Sequence, residues 1–157
     1  MALEAGQPAP EFDLPAAGGG RARLADLKGR PLVLYFYPKD DTPGCTKQAQ
    51  GFAEAYSEFQ AAGIEVVGVS KDGTASHEKF KAKYDLPFTL ASDESGAVVE
   101  AYGAWVEKSM YGKKYMGIDR ATVLIDGDGK VRRVWRKVKV PGHVAEVLEA
   151  ARAAMSA

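Results

Sequence analysis

Three short apolar runs limit what this chain can fold into. Residues 31–37 (PLVLYFY), 64–70 (IEVVGVS) and 121–125 (ATVLI) are each of strand length and almost uninterrupted in their apolar character. An alternating strand needs cover on one face, whereas runs like these need cover on both. The covering segments lie between them in sequence. After Thr42, the residues Ala49, Phe52, Ala53, Tyr56 and Phe59 recur at helical spacing, one face of a helix that ends near Gly63. Residues 76–84 form a second helix with His77, Phe80 and Tyr84 on one side, His77 being read as surface or half-buried. Residues 86–90 look extended. Asp126-Gly127-Asp128-Gly129 turns the third run into residues 130–139, and residues 143–155 close the chain as a helix with Val144, Val147, Leu148, Ala151 and Met155 inward. At the other end, residues 1–12 read as a Pro-rich surface leader. Gly18-Gly19-Gly20 reads as the tip of a hairpin between residues 12–14 and 21–24. Early strand–helix alternation with a late hairpin implies an α/β fold, with a mixed central sheet flanked by helices and an N-terminal hairpin.

The chain has 157 residues, enough for one domain over 1–157, and no composition break divides it. Its 21 basic and 21 acidic residues cancel. That balance gives no general attraction to nucleic acid or anionic lipid. The basic run at 130–139 surrounds Trp135, and reads as a partly exposed hairpin strand rather than a nucleic-acid site. Asp126-x-Asp128-Gly129 lacks the remaining ligands of a calcium loop and reads as a turn. His77 and His143 show no metal-ligand spacing. No apolar run approaches the roughly 18–20 residues that span a bilayer. The first six residues hold no apolar signal core, and the absence of Asn excludes N-glycosylation. With a single cysteine, these features favour a reducing, cytoplasmic setting.

That cysteine carries the chemistry. In Phe36-Tyr37-Pro38-Lys39-Asp40-Asp41-Thr42-Pro43-Gly44-Cys45-Thr46 a buried strand ends, a polar loop turns and a helix begins. Pro43 suits the first helical position and Thr42 the N-cap. Cys45 then sits in the first turn, where free N–H groups and the positive end of the helix dipole favour a thiolate. It lies four residues before Ala49, hence on the inward face, at the carboxyl end of a strand. Ionisation alone is a small advantage. A free thiol with a pKa of about 8.5 is several per cent ionised at neutral pH, so full ionisation gains little more than tenfold. The rest must come from groups that bind and polarise the electrophile, and Thr42 is the nearest. The opposing reading is an inert buried thiol.

Pro38-x-x-x-Thr42-x-x-Cys45 resembles the active-site signature of peroxiredoxins, and the longer stretch around it resembles the peroxiredoxin Q branch, also called bacterioferritin comigratory protein. The likeness continues through Gly6-x-Pro8-Ala9-Pro10-x-Phe12, Gly68-Val69-Ser70, Leu86-Pro87-Phe88 and 111–120, YGKKYMGIDR. It implies a thioredoxin-like fold and a thiol-dependent peroxidase that needs no metal or organic cofactor. On that resemblance Cys45 is the peroxidatic nucleophile and Thr42 hydrogen-bonds the peroxide. Pro38 walls the pocket, the N–H groups of Gly44 and Cys45 hold peroxide oxygen, and Arg120 stabilises the thiolate and the developing charge. Spacing alone would leave Arg120 a solvated residue before a strand. Relatives often carry a second cysteine five residues on, where this chain has Gln50, or in the next helix, where it has none. They commonly have Glu at the position of Gln48. The expectation is a single-cysteine cycle: a Cys45 sulfenic acid resolved by an external thiol such as thioredoxin or glutathione with glutaredoxin, in a monomer or weak dimer. The alternative is a peroxide sensor that passes its oxidation to a partner protein.

Overall fold

The computed structural model describes residues 3–155, and the side chain of Met155 lies outside what it describes. In chain order the elements are β1 (Asp13–Pro15), β2 (Arg21–Arg23), α1 (Leu24–Leu27), β3 (Leu32–Phe36) and α2 (Pro43–Ala61). There follow β4 (Glu65–Ser70), α3 (Thr74–Tyr84), β5 (Thr89–Ser92), α4 (Ala97–Ala101), β6 (Trp105–Met110) and β7 (Lys113–Ile118). The chain closes with β8 (Ala121–Ile125), β9 (Val131–Trp135) and α5 (His143–Met155).

The three apolar runs become β3, β4 and β8 of one five-stranded sheet in the order β5-β4-β3-β8-β9. β3 runs parallel to β4, and β4 to β5, while β8 is antiparallel to β3 and to β9. Every residue of β3 and β8 is buried. The reason is visible along β3. Val33, Tyr35 and Tyr37 face a core shared with Phe52, Phe59, Phe80 and Val147, while Leu32, Leu34 and Phe36 face one shared with Leu24, Val99 and Tyr102. A period of two thus feeds two cores, each roofed by different elements.

The triple glycine is the hairpin tip, with Gly18 and Gly19 at positive φ between β1 and β2. The leader does not simply run along the surface. Ala9 and Phe12 are buried, and backbone bonds from Gly6 N to the Val131 carbonyl (2.7 Å) and from Ala9 N to the Gly129 carbonyl (2.8 Å) dock it beside β9. The extended segment expected at 86–90 forms later, as β5. His77, expected at or near the surface, is fully buried.

The β6–β7 hairpin carries no apolar signal in the sequence because most of it is exposed. Its Tyr111-Gly112 turn has positive φ at both residues, 52° and 78°, the twist that fits a two-residue hairpin loop. Met110, Tyr111, Tyr115 and Met116 stand exposed there. No helix among the described residues is long and apolar enough to cross a membrane.

Candidate active site

α2 opens on Pro43, and Cys45 is its third residue. The missing N–H of proline costs nothing at a position that has no intrahelical partner. Cys45 is 2% exposed and packs in the core that holds Tyr35, Tyr37 and Ala49. Thr42 occupies the N-cap position, but its hydroxyl does not cap the helix. It donates to the Lys39 carbonyl at 2.8 Å, closing the loop on itself, while the Thr42 carbonyl accepts the Thr46 N–H at 2.8 Å. With its one hydrogen spent, the Thr42 oxygen keeps lone pairs for an incoming donor. Pro38 is exposed at the mouth of the loop.

Arg120 reaches this helix start from 75 residues away. The antiparallel register pairs Phe36 with Ala121, so the residue before β8 emerges at the carboxyl end of β3, where the loop to α2 begins. Its backbone is pinned by the Val138 N–H on its carbonyl at 2.9 Å. Arg120 Nη2 then lies 3.5 Å from Cys45 Sγ, and Nη1 donates to Gln48 Oε1 at 2.6 Å. A Cβ on Gly44 would come within 3.2 Å of Nη2, so a larger residue there would make the guanidinium give way by a few tenths of an ångström. The solvated reading of Arg120 is therefore wrong for this fold.

Gln48 is the residue that sequence reasoning noticed without explaining. It is fully buried one turn after Cys45, its oxygen aims Arg120, and its Nε2 has no partner among the described residues. Because it is an amide, it orients the guanidinium without neutralising it. Gln50, where relatives carry a second cysteine, faces outward.

Behind the cysteine, the Tyr35 ring stacks on Phe52 of α2 at 4.6 Å, with its hydroxyl against Gly68. Burial holds both Tyr35 and Tyr37 well above the usual tyrosine range, so they remain neutral phenols. The described residues contain one cluster of metal-ligand type, Asp40, Asp72 and His77. The hydrogen bonds of these side chains go to one another and to neighbouring protein groups, as a structural cluster requires.

A buried thiol thus lies in the first turn of a helix, faced by an arginine at the carboxyl end of a parallel strand. The profile of the AhpC/TSA family matches residues 5–134. This chain belongs to that family. It is 55% identical over 148 residues to a putative peroxiredoxin bcp of Coxiella burnetii, covering 94% of this chain and 98% of that one. It is 46% identical to peroxiredoxin Bcp of Bacillus subtilis, over 95% of both. The solved structure of Xanthomonas campestris bacterioferritin comigratory protein, described for its alkyl peroxide reduction activity, superposes with a TM-score of 0.91 at 41% identity, covering 97% and 99%. The peroxiredoxin Q branch, the thioredoxin-like fold and the thiol-dependent peroxidase class follow for this chain. Cysteine-to-serine variants at two positions are known for the Xanthomonas protein, which therefore has at least two cysteines where this peroxiredoxin has one.

Proposed function

We propose that this peroxiredoxin reduces hydrogen peroxide and organic hydroperoxides through Cys45 alone. The observation that carries the reading is the 3.5 Å approach of Arg120 Nη2 to the buried sulfur at the helix start. The Cys45 thiolate attacks the nearer peroxide oxygen. The O–O bond breaks, its electron pair leaves with the far oxygen as water or alcohol after proton uptake, and the sulfur becomes a sulfenic acid. Arg120 holds positive charge where negative charge moves from sulfur to oxygen, and the N–H groups of Gly44 and Cys45, in the first turn of α2 where helices leave their donors free, take the role of holding peroxide oxygen. Thr42, its own hydrogen given to Lys39, meets the peroxide O–H as an acceptor. Pro38 shields the mouth.

The second half of the cycle comes from outside, because a lone cysteine has no internal partner. One external thiol displaces water from the sulfenic acid to form a mixed disulfide. A second thiol releases Cys45 and leaves with the first as a disulfide. A dithiol protein such as thioredoxin, or glutathione with glutaredoxin, supplies both electrons. That requirement fits a reducing, cytoplasmic compartment, and a monomer or weak dimer leaves Cys45 accessible to its reductant.

Stopped-flow mixing of reduced protein with hydrogen peroxide, followed by the fluorescence of Trp105 and Trp135, tests the reading. A fast transient that disappears in Cys45→Ser, with turnover only when thiol is added, is the expected result. A rate no better than a free thiol overturns it, and so does turnover without thiol.

A further inference from the structure

We propose that Asp40 and His77 are positioning residues for this reaction. Their hydrogen bond clamps the loop before Cys45 onto α3 and keeps the first turn of α2 wound, a role that rests on the reading of Cys45 as the nucleophile.

The argument begins with burial. Of residues 38–44, between β3 and the cysteine, Asp40 alone is buried. The loop thus has one inward anchor, and that anchor is a carboxylate. A buried carboxylate is costly unless its oxygens are partnered. Asp40 Oδ1 accepts the Tyr37 hydroxyl at 2.6 Å. Oδ2 accepts the Ser76 hydroxyl at 2.8 Å and faces His77 Nδ1 at 2.7 Å. Its backbone N–H donates to Asp72 Oδ2 at 2.8 Å, and Asp72 is held in turn by the Ser70 hydroxyl at 2.7 Å. Every partner except Tyr37 comes from β4, α3 or the turn between them. Few loop conformations would keep Asp40 buried and supply the same partners.

His77 carries the restraint onward. It is fully buried, and its second nitrogen, Nε2, lies 3.0 Å from the Ala91 carbonyl in β5. Both ring nitrogens face oxygen acceptors. A continuous path therefore runs from the loop through α3 to the sheet. The exposed neighbour Asp41, at φ 57°, adds outer contacts to Lys83 (2.8 Å) and Tyr84 (2.7 Å) on the same helix. In the contacts described above neither Asp40 nor His77 touches the sulfur or its arginine, so their influence passes through the loop and through Tyr37, which shares the core around Cys45.

The two half-reactions ask opposite things of that loop. Oxidation needs Cys45 held against Arg120. Reduction needs a bulky thiol to reach a sulfur that is 2% exposed. Loosening the clamp therefore slows the first and speeds the second.

Two substitutions at His77 separate this role from simple packing. An Asn amide nitrogen sits close to where Nδ1 was and keeps the donor to Asp40. A Gln amide nitrogen sits close to where Nε2 was and keeps the donor to Ala91 while abandoning Asp40. Leaving a buried polar group without its hydrogen bond shifts an equilibrium by about tenfold or more. In His77→Gln, peroxide oxidation should slow by about that factor, reduction of the sulfenic acid by dithiothreitol should quicken, and amide exchange at residues 39–46 should accelerate. In His77→Asn all three should return towards wild type. Equal behaviour of the two variants, or movement of both half-reactions in one direction, overturns the proposal. If His77→Gln fails to fold, Asp40→Asn takes its place: faster exchange at 39–46 with unchanged exchange in β8 supports the clamp, and unchanged exchange at 39–46 overturns it. Should wild type react with peroxide no faster than a free thiol, the peroxidase reading falls, while the exchange comparison still decides the clamp.

Discussion

At the scale of single residues the site is a contest for space around one guanidinium. Arg120 must approach Cys45, and the route passes over Gly44, where a methyl group would meet Nη2 at 3.2 Å. That contact can be relieved by a few tenths of an ångström of side-chain movement, so Gly44→Ala displaces the charge without removing it. Deleting a preorganised donor from a reacting centre costs about a hundredfold or more in rate. Arg120→Ala should therefore lower the second-order rate of Cys45 oxidation by about that factor, and Gly44→Ala by about tenfold. Both should be read by stopped flow, with circular dichroism unchanged. An Arg120→Ala variant as fast as wild type would remove Arg120's approach from the mechanism. The sequence reached part of this site. The helix start at Thr42-Pro43-Gly44-Cys45 is a local pattern and was readable as such. The cap was readable as a position only, because the Thr42 hydroxyl turns back to Lys39. Gln48 as the group that aims Arg120 was not readable, since the two are 72 residues apart.

At the scale of elements, the packing of β3, β4 and α2 depends on a missing side chain. Tyr35 on β3 fills the space above Gly68 on β4 and stacks on Phe52 of α2. A Cβ at Gly68 would lie 2.8 Å from the Tyr35 ring, closer than real contacts allow, and the ring is confined between Phe52, Phe88 and Tyr37. Overpacking of this kind costs about 1–3 kcal/mol. Gly68→Ala should lower the denaturant midpoint accordingly and slow Cys45 oxidation, because the displaced ring presses on the helix that carries the cysteine. A variant as stable as wild type would mean that the ring has free volume to enter. The missed elements share a cause. α1 and α4 are too short to show a period, and the β6–β7 hairpin is too exposed to need one.

At the scale of the whole molecule, stability and site share charges. His143, at the start of α5, faces the buried Thr122 hydroxyl of β8 at 2.8 Å. Burial pushes its pKa below the ordinary histidine value, Arg120 and Arg133 push the same way, and Glu146 opposes them. The folded state thus binds a proton less readily than the unfolded chain. Stability from this group is present above the ordinary histidine pKa of about 6.5 and is lost as pH falls through it. His143→Gln, which keeps an amide near the Nε2 position, should flatten the fall in denaturation midpoint between about pH 7 and pH 5. An unchanged slope would clear His143 of the acid sensitivity.

The sequence by itself determined the α/β class, the buried strands and the placing of a lone thiol at a helix start, because each is written in residues within one or two turns of one another. It also determined that the cycle cannot close on an internal disulfide, which is a matter of counting. Residue spacing left Arg120 in solvent and only a family resemblance pointed it at that thiol, where the tertiary structure puts it; that Gln48 aims it, and that His77 lies buried against Asp40, only the tertiary structure decided. Those contacts join residues 37 to 75 positions apart through the strand register and the seating of α3, and no local period records them.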